Sequence, residues 1–322
     1  LFGAPRLPSL DGREPLLMAP AEIERQADRL VARAGDRLLF EYVFSPGLPK
    51  VLAPRPYFHP VRTLGGVVVT DHQPADHRWH LGIAYSWPVV HGRQEGSPVG
   101  RARQSLRAAH PPGLNFWGGP TFVRGRGYQQ LENNGRTVHQ EWSRDTERLE
   151  WLDPDDRRIA VEQRRLGLPE VAEGEGSWSL ELDTEIENSG QQVLRFGSPT
   201  TEGRPMAGYA GLAWRGAEAL RDAAVLLEGP ADEGDPMGRR SRWLALAGGG
   251  ATVAIVEHPG NPGVPNRWFV RTEEYALVAS SPVFDRYLEL EPGEKLRLRH
   301  RLLVADGVWS AERLVGELEP VA

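Results

Sequence analysis

The residues best suited to chemistry are concentrated between Arg55 and His91, a segment that holds five of the nine histidines of the chain. Imidazole titrates near neutral pH and binds metal ions through a neutral ring nitrogen. Asp71 and Asp76 each directly precede a histidine, and a neighbouring carboxylate can fix the tautomer of an imidazole and raise its basicity. The proline and glycine residues of the segment indicate loops. We therefore expect a functional site here, built around His59, His72, His77, His80 and His91.

The spacing of these histidines allows two kinds of chemistry. His77 and His80 are three positions apart and can face one point on a turn, so either could act as a general acid or base. Together with His72 and Asp76 they could instead bind a divalent metal ion. Neither a His-x-x-x-His spacing nor a cysteine supports such a metal site. We therefore predict no cofactor and keep the divalent metal ion as the alternative. The structural alternative is that these imidazoles hydrogen-bond the backbone and shape the loop.

A second candidate pair lies in the segment GRTVHQEW. His139 and Glu141 are two positions apart in a predicted strand, so their side chains should point to the same face of a sheet. Such a pair could act in acid–base chemistry, with Glu141 orienting or assisting His139. The alternative is that both residues lie on a solvated sheet face.

Arginine, asparagine, histidine and aromatic side chains near these segments could hold a ligand. Arginine offers fixed bidentate donors for carboxylates or vicinal hydroxyls, and the apolar face of an aromatic ring suits the C–H groups of a sugar. The alternatives are a structural salt bridge for each arginine and a core position for each aromatic residue. The candidates for substrate binding are His59, Arg62, His72, Trp79, Asn115, Trp117, Arg204, Tyr209, Arg215, Asn266 and Arg267.

Composition narrows the class of protein. The chain has 322 residues, a formal net charge of −6 and no cysteine, which excludes disulfides and thiolate sites and gives no whole-molecule attraction for nucleic acid. No apolar run approaches the ~20 residues that span a bilayer. The N-terminal segment lacks the order of a signal peptide, although a leader could have preceded Leu1. We expect a cytoplasmic protein without membrane or nucleic-acid partners, and its oligomeric state is left open.

The spacing of short apolar segments and turns predicts an all-β fold. Strands and helices do not alternate, which argues against a doubly wound α/β fold. We expect an antiparallel β-sandwich with a few short helices, at 21–30 and at Ala311–Leu318, the latter capped by Ser310. Residues 21–322 are expected to form one domain after an N-terminal arm at 1–20, with a surface insertion at 93–113. The predicted strands are 30–32, 38–44, 66–70, 83–90, 137–142, 148–152, 158–166, 178–188, 193–196, 242–247, 252–256, 268–271, 276–280, 286–290 and 295–304.

Several motifs follow one another in an order that resembles a known family. They are RPYFHPVRTLGGVVVT, ADHRWHLGIAYSWPVV, NFWG, GRTVHQEW, GYAGLAWR, HPGNPGVPNRWFVR and LEPGEKLRLRHRLLVADG. Over roughly residues 38–307 the chain resembles the bacterial family labelled methane oxygenase PmoA, whose activity is essentially unknown. That family usually shows Asp-His-Pro-His-His, where this chain has Asp76-His77-Arg78-Trp79-His80. The resemblance therefore implies that Trp79 replaces one imidazole and that two imidazoles remain.

The C-terminal segment LEPGEKLRLRHRLLV is similar to the closing strands of galactose-mutarotase-like supersandwich proteins. This similarity implies a β-sandwich that handles carbohydrate, as an analogy of fold. The first hypothesis is an enzyme that moves protons on a sugar or sugar-like polyol, as an epimerase, lyase or hydrolase, with His77, His80 and His139 as acids or bases. The alternatives are a metal-dependent oxygenase or hydrolase and a non-catalytic sugar-binding module. The expected partner is a small molecule, in the first hypothesis a carbohydrate.

Overall fold

A computed structural model describes residues 18–92, 112–229 and 234–318 of the chain. Within these residues the secondary structure is almost entirely strand. The strands are β1 (Met18–Arg25), β2 (Arg29–Ala34), β3 (Arg37–Val43), β4 (Tyr57–Val61), β5 (Ile83–Ser86), β6 (Val89–His91), β7 (Thr121–Val123), β8 (Gly127–Gln129), β9 (Arg136–Ser143), β10 (Thr146–Leu152), β11 (Arg158–Leu166), β12 (Glu170–Ala172), β13 (Ser177–Asn188), β14 (Leu194–Gly197), β15 (Gly211–Arg215), β16 (Ala224–Leu227), β17 (Trp243–Gly248), β18 (Ala251–Glu257), β19 (Arg267–Arg271), β20 (Leu277–Ser281), β21 (Leu288–Leu290) and β22 (Lys295–Asp306).

The strands form two large antiparallel sheets, which we call sheet A and sheet B. Sheet A has the order β9-β10-β11-β13-β22-β18-β17-β16, with β12 beside β13. Sheet B has the order β1-β2-β3-β4-β5-β15-β20-β19. The first residues of β1 pair with β12, so β1 joins the two sheets at one edge. This mostly-β, sandwich-like architecture confirms the predicted fold class.

The core lies between the inner faces of the two sheets. Along β13 the side chains of Trp178, Leu180, Leu182 and Ile186 alternate with polar ones and are buried, because successive residues of a strand point to opposite faces. Full burial of one such apolar side chain contributes about 1.5–3 kcal/mol. Five tryptophans are among the largest fully buried side chains, namely Trp87, Trp151, Trp178, Trp214 and Trp268.

Several ionic residues are also buried, and two of them, Glu162 and Arg164, form an ion pair. Arg164 of β11 donates two hydrogen bonds to Glu162 Oε1, at 2.9 Å from Nε and 2.6 Å from Nη2. Trp151 Nε1 donates to the other oxygen of Glu162 at 2.8 Å. The Glu162 side chain is wholly buried and that of Arg164 is 3% exposed. The buried carboxylate thus depends on its arginine to compensate its charge.

The helix predicted at 21–30 is wrong. The chain there forms the second half of β1, a turn and the start of β2, and Ile23 pairs with Ala32 across the two strands. Ala21 and Ile23 both pack against the core, and their spacing of two residues fits a strand. The segment at 66–70 is not a strand either, since it forms only the isolated bridges Arg62–Val68 and Thr70–Gly216.

The predicted C-terminal helix is confirmed. The helix α1 spans Ala311–Leu318, and Ser310 Oγ accepts a hydrogen bond from the backbone N–H of Arg313 at 3.3 Å. Three single-turn 3₁₀ helices are also present among the described residues. Of the predicted arm at 1–20, residues 1–17 lie outside the described residues and the last three residues belong to β1. Of the predicted insertion at 93–113, residues 93–111 lie outside the described residues.

Helix α1 packs on the outer face of sheet A. Its buried residue Leu314 contacts an apolar cluster that includes Trp243, Leu303 and Trp309. No helix in the described ranges is long and apolar enough to cross a membrane.

Candidate functional site

A cleft of about 330 Å³ lies on the face of sheet B that points away from the core. Strand alternation sends Leu212 and Trp214 of β15 into the core, and it leaves Ala213 on the outer face beside Leu277 and Ala279 of β20. The small side chains of this floor leave space above the sheet. The cleft forms where loops rise around that floor.

One loop, residues 73–80, carries two of the predicted catalytic histidines to the cleft. Backbone hydrogen bonds close it at its base, from Gln73 N to His80 O at 2.8 Å and from Gly82 N to Asp71 O at 2.9 Å. Gly82 has φ +52°, and a Cβ there would lie 2.0 Å from the carbonyl oxygen of Phe58. Only glycine fits this close approach in the left-handed region. The base of the loop is therefore fixed by strand β4 beneath it.

The imidazoles of His77 and His80 stack on each other in this loop. Their ring centroids are 4.6 Å apart and their planes differ by 12°. His77 Nδ1 lies 2.7 Å from Asp76 Oδ2, and His80 Nδ1 lies 3.2 Å from Arg215 Nη1. A guanidinium can only donate, so His80 Nδ1 accepts and the proton of its neutral ring sits on Nε2. An ionised carboxylate can only accept, so His77 Nδ1 donates and its neutral ring leaves Nε2 free to accept.

Arg215 connects both imidazoles to the sheet. Its side chain is 6% exposed, with Nη2 3.4 Å from Asp76 Oδ1 and Nε 3.7 Å from Asp71 Oδ2. Its Cζ lies 4.2 Å from the centroid of the Tyr275 ring, a cation–π geometry. The Asp76–Arg215 pair therefore faces the Nδ1 atoms of both stacked rings.

The surroundings of His80 and Asp76 fix the charge states of these two residues near neutral pH. Burial, reinforced by the neighbouring His77 and by the charges of Arg215 and Arg55, holds the pKa of His80 well below its usual value. Burial would raise the pKa of Asp76, but the hydrogen bond from His77 and the charge of Arg215 outweigh it and the pKa is lowered. His80 is thus a neutral donor at Nε2, and Asp76 is an anion.

Aromatic rings form the walls of the cleft. Trp117 packs on Tyr209 with ring centroids 4.7 Å apart, and Tyr209 packs edge-on against Phe269 at 5.3 Å. On the other side Tyr275 lies 5.0 Å from the His77 ring. Trp79, whose ring centroid is 5.1 Å from that of His77, completes the walls.

Asn115 of the NFWG motif shapes one wall of the cleft without lining it. Asn115 is buried, and its Oδ1 accepts from the backbone N–H groups of Trp117 at 2.8 Å and Gly118 at 2.9 Å. The next residue, Gly119, has φ +65°, and a Cβ there would lie 2.3 Å from the Trp79 ring. Asn115 therefore orders the turn that presents Trp117 and makes room for Trp79.

Of the predicted residues, the structure brings seven to the cleft or its floor. They are His77, Trp79, His80, Trp117, Arg204, Tyr209 and Arg215.

His59 and His72 lie elsewhere, in a stack of their own. The two rings are 5.1 Å apart, and His72 also stacks on Tyr57 at 4.7 Å. His59 Nδ1 hydrogen-bonds the hydroxyl of Thr70 at 3.0 Å. Burial lowers the pKa of both imidazoles, that of His59 to about 4. Neither ring lines the cleft.

His139 and Glu141 do not form the expected pair. A bulge between Arg148 and Leu149 shifts the register of β9 against β10, and Glu141 is exposed. The carboxylate that His139 Nδ1 contacts, at 2.8 Å, belongs to the buried Glu147. Neither member of the predicted pair lines the cleft.

The remaining predicted binding residues have structural contacts outside the cleft. Arg62 donates to the carbonyl oxygen of Gly66. Asn266 donates to the buried Glu257 from its backbone N–H and from Nδ2, each at 3.0 Å. Arg267 pairs with Asp285 at 2.9 Å.

Seven further residues line the cleft that the sequence did not single out, among them Tyr128, Phe269, Arg271 and Tyr275. Tyr128 belongs to the hairpin β7–β8, and its hydroxyl lies 2.9 Å from that of Tyr209. Phe269, Arg271 and Tyr275 are on β19 or follow it. Nothing in the local pattern of these segments separates them from ordinary strand and turn residues.

The proposed metal ligands do not converge. In the described part of the chain, no group of three or more histidine, cysteine, aspartate or glutamate side chains is placed to hold a metal ion. His72 belongs to the separate stack on Tyr57. The near-parallel stacking of His77 and His80 does not aim their in-plane nitrogen lone pairs at a common point.

Comparison with known proteins gives a family and no activity. The profile of a family of unknown function, DUF6807, matches residues 29–319. The chain belongs to this family. Its name does not carry the methane oxygenase label that the motifs suggested. No curated protein matches the chain.

Solved structures similar to this DUF6807 chain have low sequence identity. A polysaccharide lyase is 10% identical, with 89% of this chain and 32% of the lyase covered and a TM-score of 0.37. The galactosidase domain of the alpha-galactosidase-sucrose kinase AgaSK is 9% identical, with 89% and 42% covered and a TM-score of 0.37. The Slr1438 protein from Synechocystis sp. PCC 6803 is 10% identical, with 95% and 100% covered and a TM-score of 0.35. The chain thus spans less than half the length of the lyase and the galactosidase.

Proposed function

We propose that the outer cleft of sheet B binds a carbohydrate and that His77 and His80 move protons on it. His77 acts as the base and His80 as the acid. The observation that carries this proposal is the opposite hydrogen-bonding state of two stacked imidazoles in one cleft. Asp76 accepts from Nδ1 of one ring and Arg215 donates to Nδ1 of the other.

The walls of the cleft support the choice of a sugar as ligand. A volume of about 330 Å³ falls in the range of small-molecule sites. Trp117, Tyr209 and Tyr275 offer apolar ring surfaces, which suit the C–H faces of a pyranose. Arg204 and the Nε2 atoms of the two imidazoles offer polar contacts for hydroxyl groups.

The proton transfers balance within the pair. His77 Nε2 takes a proton from the substrate and becomes an imidazolium beside the ionised Asp76, which stabilises the new charge. His80 Nε2–H gives a proton to the oxygen that leaves, while the electrons of the broken C–H bond form the new C=C bond. Because the two rings stack on one side of the cleft, this scheme is an elimination from one face of the sugar. A positioned acid or base contributes typically 10²–10⁴-fold to a rate.

A turnover screen on the full chain tests the proposal. The purified protein is incubated with oligosaccharides of different composition, and new reducing ends, unsaturated products and changes of configuration are followed. With a substrate found, His77→Gln and His80→Gln should each lower kcat by about 10²–10⁴-fold. The unfolding free energy of His77→Gln should change little, because that side chain is 31% exposed.

The matched control is His258→Gln. This imidazole is partly exposed, accepts a hydrogen bond from the backbone N–H of Gly260 at 2.9 Å and does not line the cleft. It should leave kcat unchanged. A sugar that binds in the cleft without conversion under any condition would assign the chain to the non-catalytic binding modules. Equal losses in all three variants would also refute the assigned roles.

A further inference from the structure

The charged side chains around the cleft are mainly arginines. Arg204 and Arg271 line it, and the carboxylate that lines it belongs to Glu274. The side chain of Glu274 is 73% exposed and lies 3.6 Å from Arg271, so it compensates that charge only weakly. Arg204 donates to the hydroxyl of Tyr128 and packs on its ring at 4.9 Å. No carboxylate of the described residues pairs with Arg204.

A further arginine lies buried behind the floor of the cleft. Arg55 is 3% exposed. Its guanidinium donates to Ser86 Oγ at 2.8 Å and to the carbonyl oxygens of Leu52 at 3.2 Å, Ala53 at 2.9 Å and Trp79 at 3.1 Å. All these acceptors are neutral. Burial lowers the pKa of Arg55 to about 9, so the group remains a cation at neutral pH.

This buried cation is close to the imidazole pair. Arg55, His80 and Arg215 line the same small hollow beneath the cleft, which has a volume of about 10 Å³. That is room for roughly one water molecule and not for a ligand. The charge of Arg55 therefore acts on the cleft through low-dielectric protein, where electrostatic interactions are poorly screened.

Together these charged side chains make the cleft positive, although the formal net charge of the chain is −6. Asp71 and Asp76 offset Arg215, but Arg55 and Arg204 have no such partner among the described residues. A protein that hosts a buried cation without a counter-ion bears a desolvation cost. An anionic ligand in the cleft would reduce that cost.

The chemistry proposed for the imidazoles leads to the same ligand class. A carbon-bound proton of a neutral sugar is too weakly acidic for an imidazole base. A carboxylate on the adjacent carbon, once neutralised by arginine, stabilises the negative charge that forms when the proton leaves. Arginine is also the side chain whose donor geometry matches carboxylate and sulfate oxygens.

We infer that the cleft takes a sugar that carries an anionic group, a uronic acid carboxylate or a sulfate ester, with Arg204 and Arg271 in contact with that group. Arg55 supplies positive potential from below. This inference rests on the proposed carbohydrate function of the same cleft and names its substrate class.

Isothermal titration of the full chain with matched ligands tests the inference. Uronic acid oligosaccharides are compared with their carboxyl-reduced counterparts, and neutral oligosaccharides with their sulfate esters. Wild type should bind an anionic member at least about tenfold more tightly than its neutral counterpart, because a charge-assisted hydrogen bond from arginine is stronger than a hydrogen bond to a neutral hydroxyl group. This preference should shrink as salt is added.

Variants locate the anion. Arg204→Gln and Arg271→Gln should each reduce the preference by roughly tenfold, because each variant loses much more affinity for the anionic ligand than for its neutral counterpart. The control is Arg37→Gln, an arginine that lies away from the cleft with its side chain 46% exposed, 3.9 Å from Glu173. It should keep the full preference. Two independent variants ensure that misfolding of one, detected by its unfolding curve, leaves the test intact.

The outcomes separate this inference from the proposed function. Preference for a carboxylate or for a sulfate ester, lost in the two variants, supports it and identifies the anion. Equal binding and His77-dependent conversion of neutral and anionic sugars would overturn the inference and leave the proposed function standing. If no oligosaccharide of either kind binds, both are refuted.

Discussion

Replacing Arg215 with methionine should abolish the organisation of the imidazole pair at a modest cost in stability. Methionine keeps much of the length and apolar contact of the side chain but removes all five donors. His80 then loses the hydrogen bond that fixes its tautomer, and Asp76 loses its cation. We expect kcat to fall by about 10²-fold or more, because the acid in this cleft is no longer held in its donating state.

The stability cost follows from the contacts of Arg215. The hydrogen bond to His80 contributes about 1.5–3 kcal/mol. The ion pairs contribute at most about 1 kcal/mol, since the side chains of Asp76 and Asp71 are 45% and 34% exposed. After Arg215→Met, no wholly buried carboxylate is left without a partner, because Asp71 and Asp76 are both partly exposed. The apolar packing of methionine offsets part of these losses, so we expect the free energy of unfolding to fall by about 2–3 kcal/mol in total.

Arg164→Met provides the comparison. It leaves the wholly buried Glu162 without its cation, which costs about 3–5 kcal/mol. Urea unfolding gives both stabilities, and the turnover or binding assay gives function. Arg215→Met should be the more stable and the less active of the two. Arg215→Lys should recover stability more than activity, because lysine cannot donate in the same fork.

A reversed order would refute the reasoning. If Arg215→Met unfolds more readily than Arg164→Met, Arg215 serves the fold. If Arg215→Met keeps the kcat and the pH profile of wild type, the guanidinium does not set the state of His80. Either result would remove the geometric support for assigned acid and base roles.

Two further predictions concern pH and the tryptophan wall. Burial lowers the pKa of His300 to about 3, so between that pH and about 6.5 the unfolded chain binds a proton that the native chain does not. The free energy of unfolding should therefore fall by about 1.4 kcal/mol per pH unit on acidification because of this imidazole. Urea unfolding of His300→Asn between pH 6.5 and 4.5 should show a pH dependence that is smaller by that amount, and a pH dependence equal to that of wild type would contradict the prediction. Gly119→Ala should displace the Trp79 ring and weaken sugar binding several-fold. The control is Gly35→Ala, because Gly35 has a similar φ of +60° but no atom within 4 Å of its Cβ position. This control should strain the backbone to a similar extent and leave sugar binding intact.

The strands were predictable where one side of them faces solvent. In β13 the alternation of buried and polar residues marks the element on sequence alone. Strand β15, GLAWR, was missed because all five of its residues are buried, so no alternation appears, and it has none of the β-branched residues that marked the equally buried β5 and β20. The error at 21–30 has a related cause. Ile23, Ala27 and Leu30 fall on one face of a helix, but three apolar residues are too few to distinguish that period from the period of a strand.

The site was predictable in its residue types more than in its assembly. The histidines and aromatic residues of the 73–80 loop belong to one short segment, and local sequence identified them. Arg215 meets Asp76 across 139 positions of sequence, and only the pairing of β15 with β5 brings them together. The buried position of Arg55 could not be predicted from the sequence, because its acceptors are backbone carbonyl groups, which every residue has, and one serine hydroxyl.

A histidine beside a carboxylate was the feature that marked His77, but the fold contains that pairing more than once. His139 contacts Glu147 at 2.8 Å and His91 contacts Glu202 at 3.0 Å. In both pairs the carboxylate is mostly buried, and a tyrosine hydroxyl shares it, so these pairs resemble structural networks. His77 differs because its ring stacks on a second imidazole of opposite hydrogen-bonding state and opens to a cleft. A lone imidazole must take up a proton before it can give one, whereas this pair offers an acceptor and a donor at the same time, and that is the physical reason to propose the chemistry at this loop.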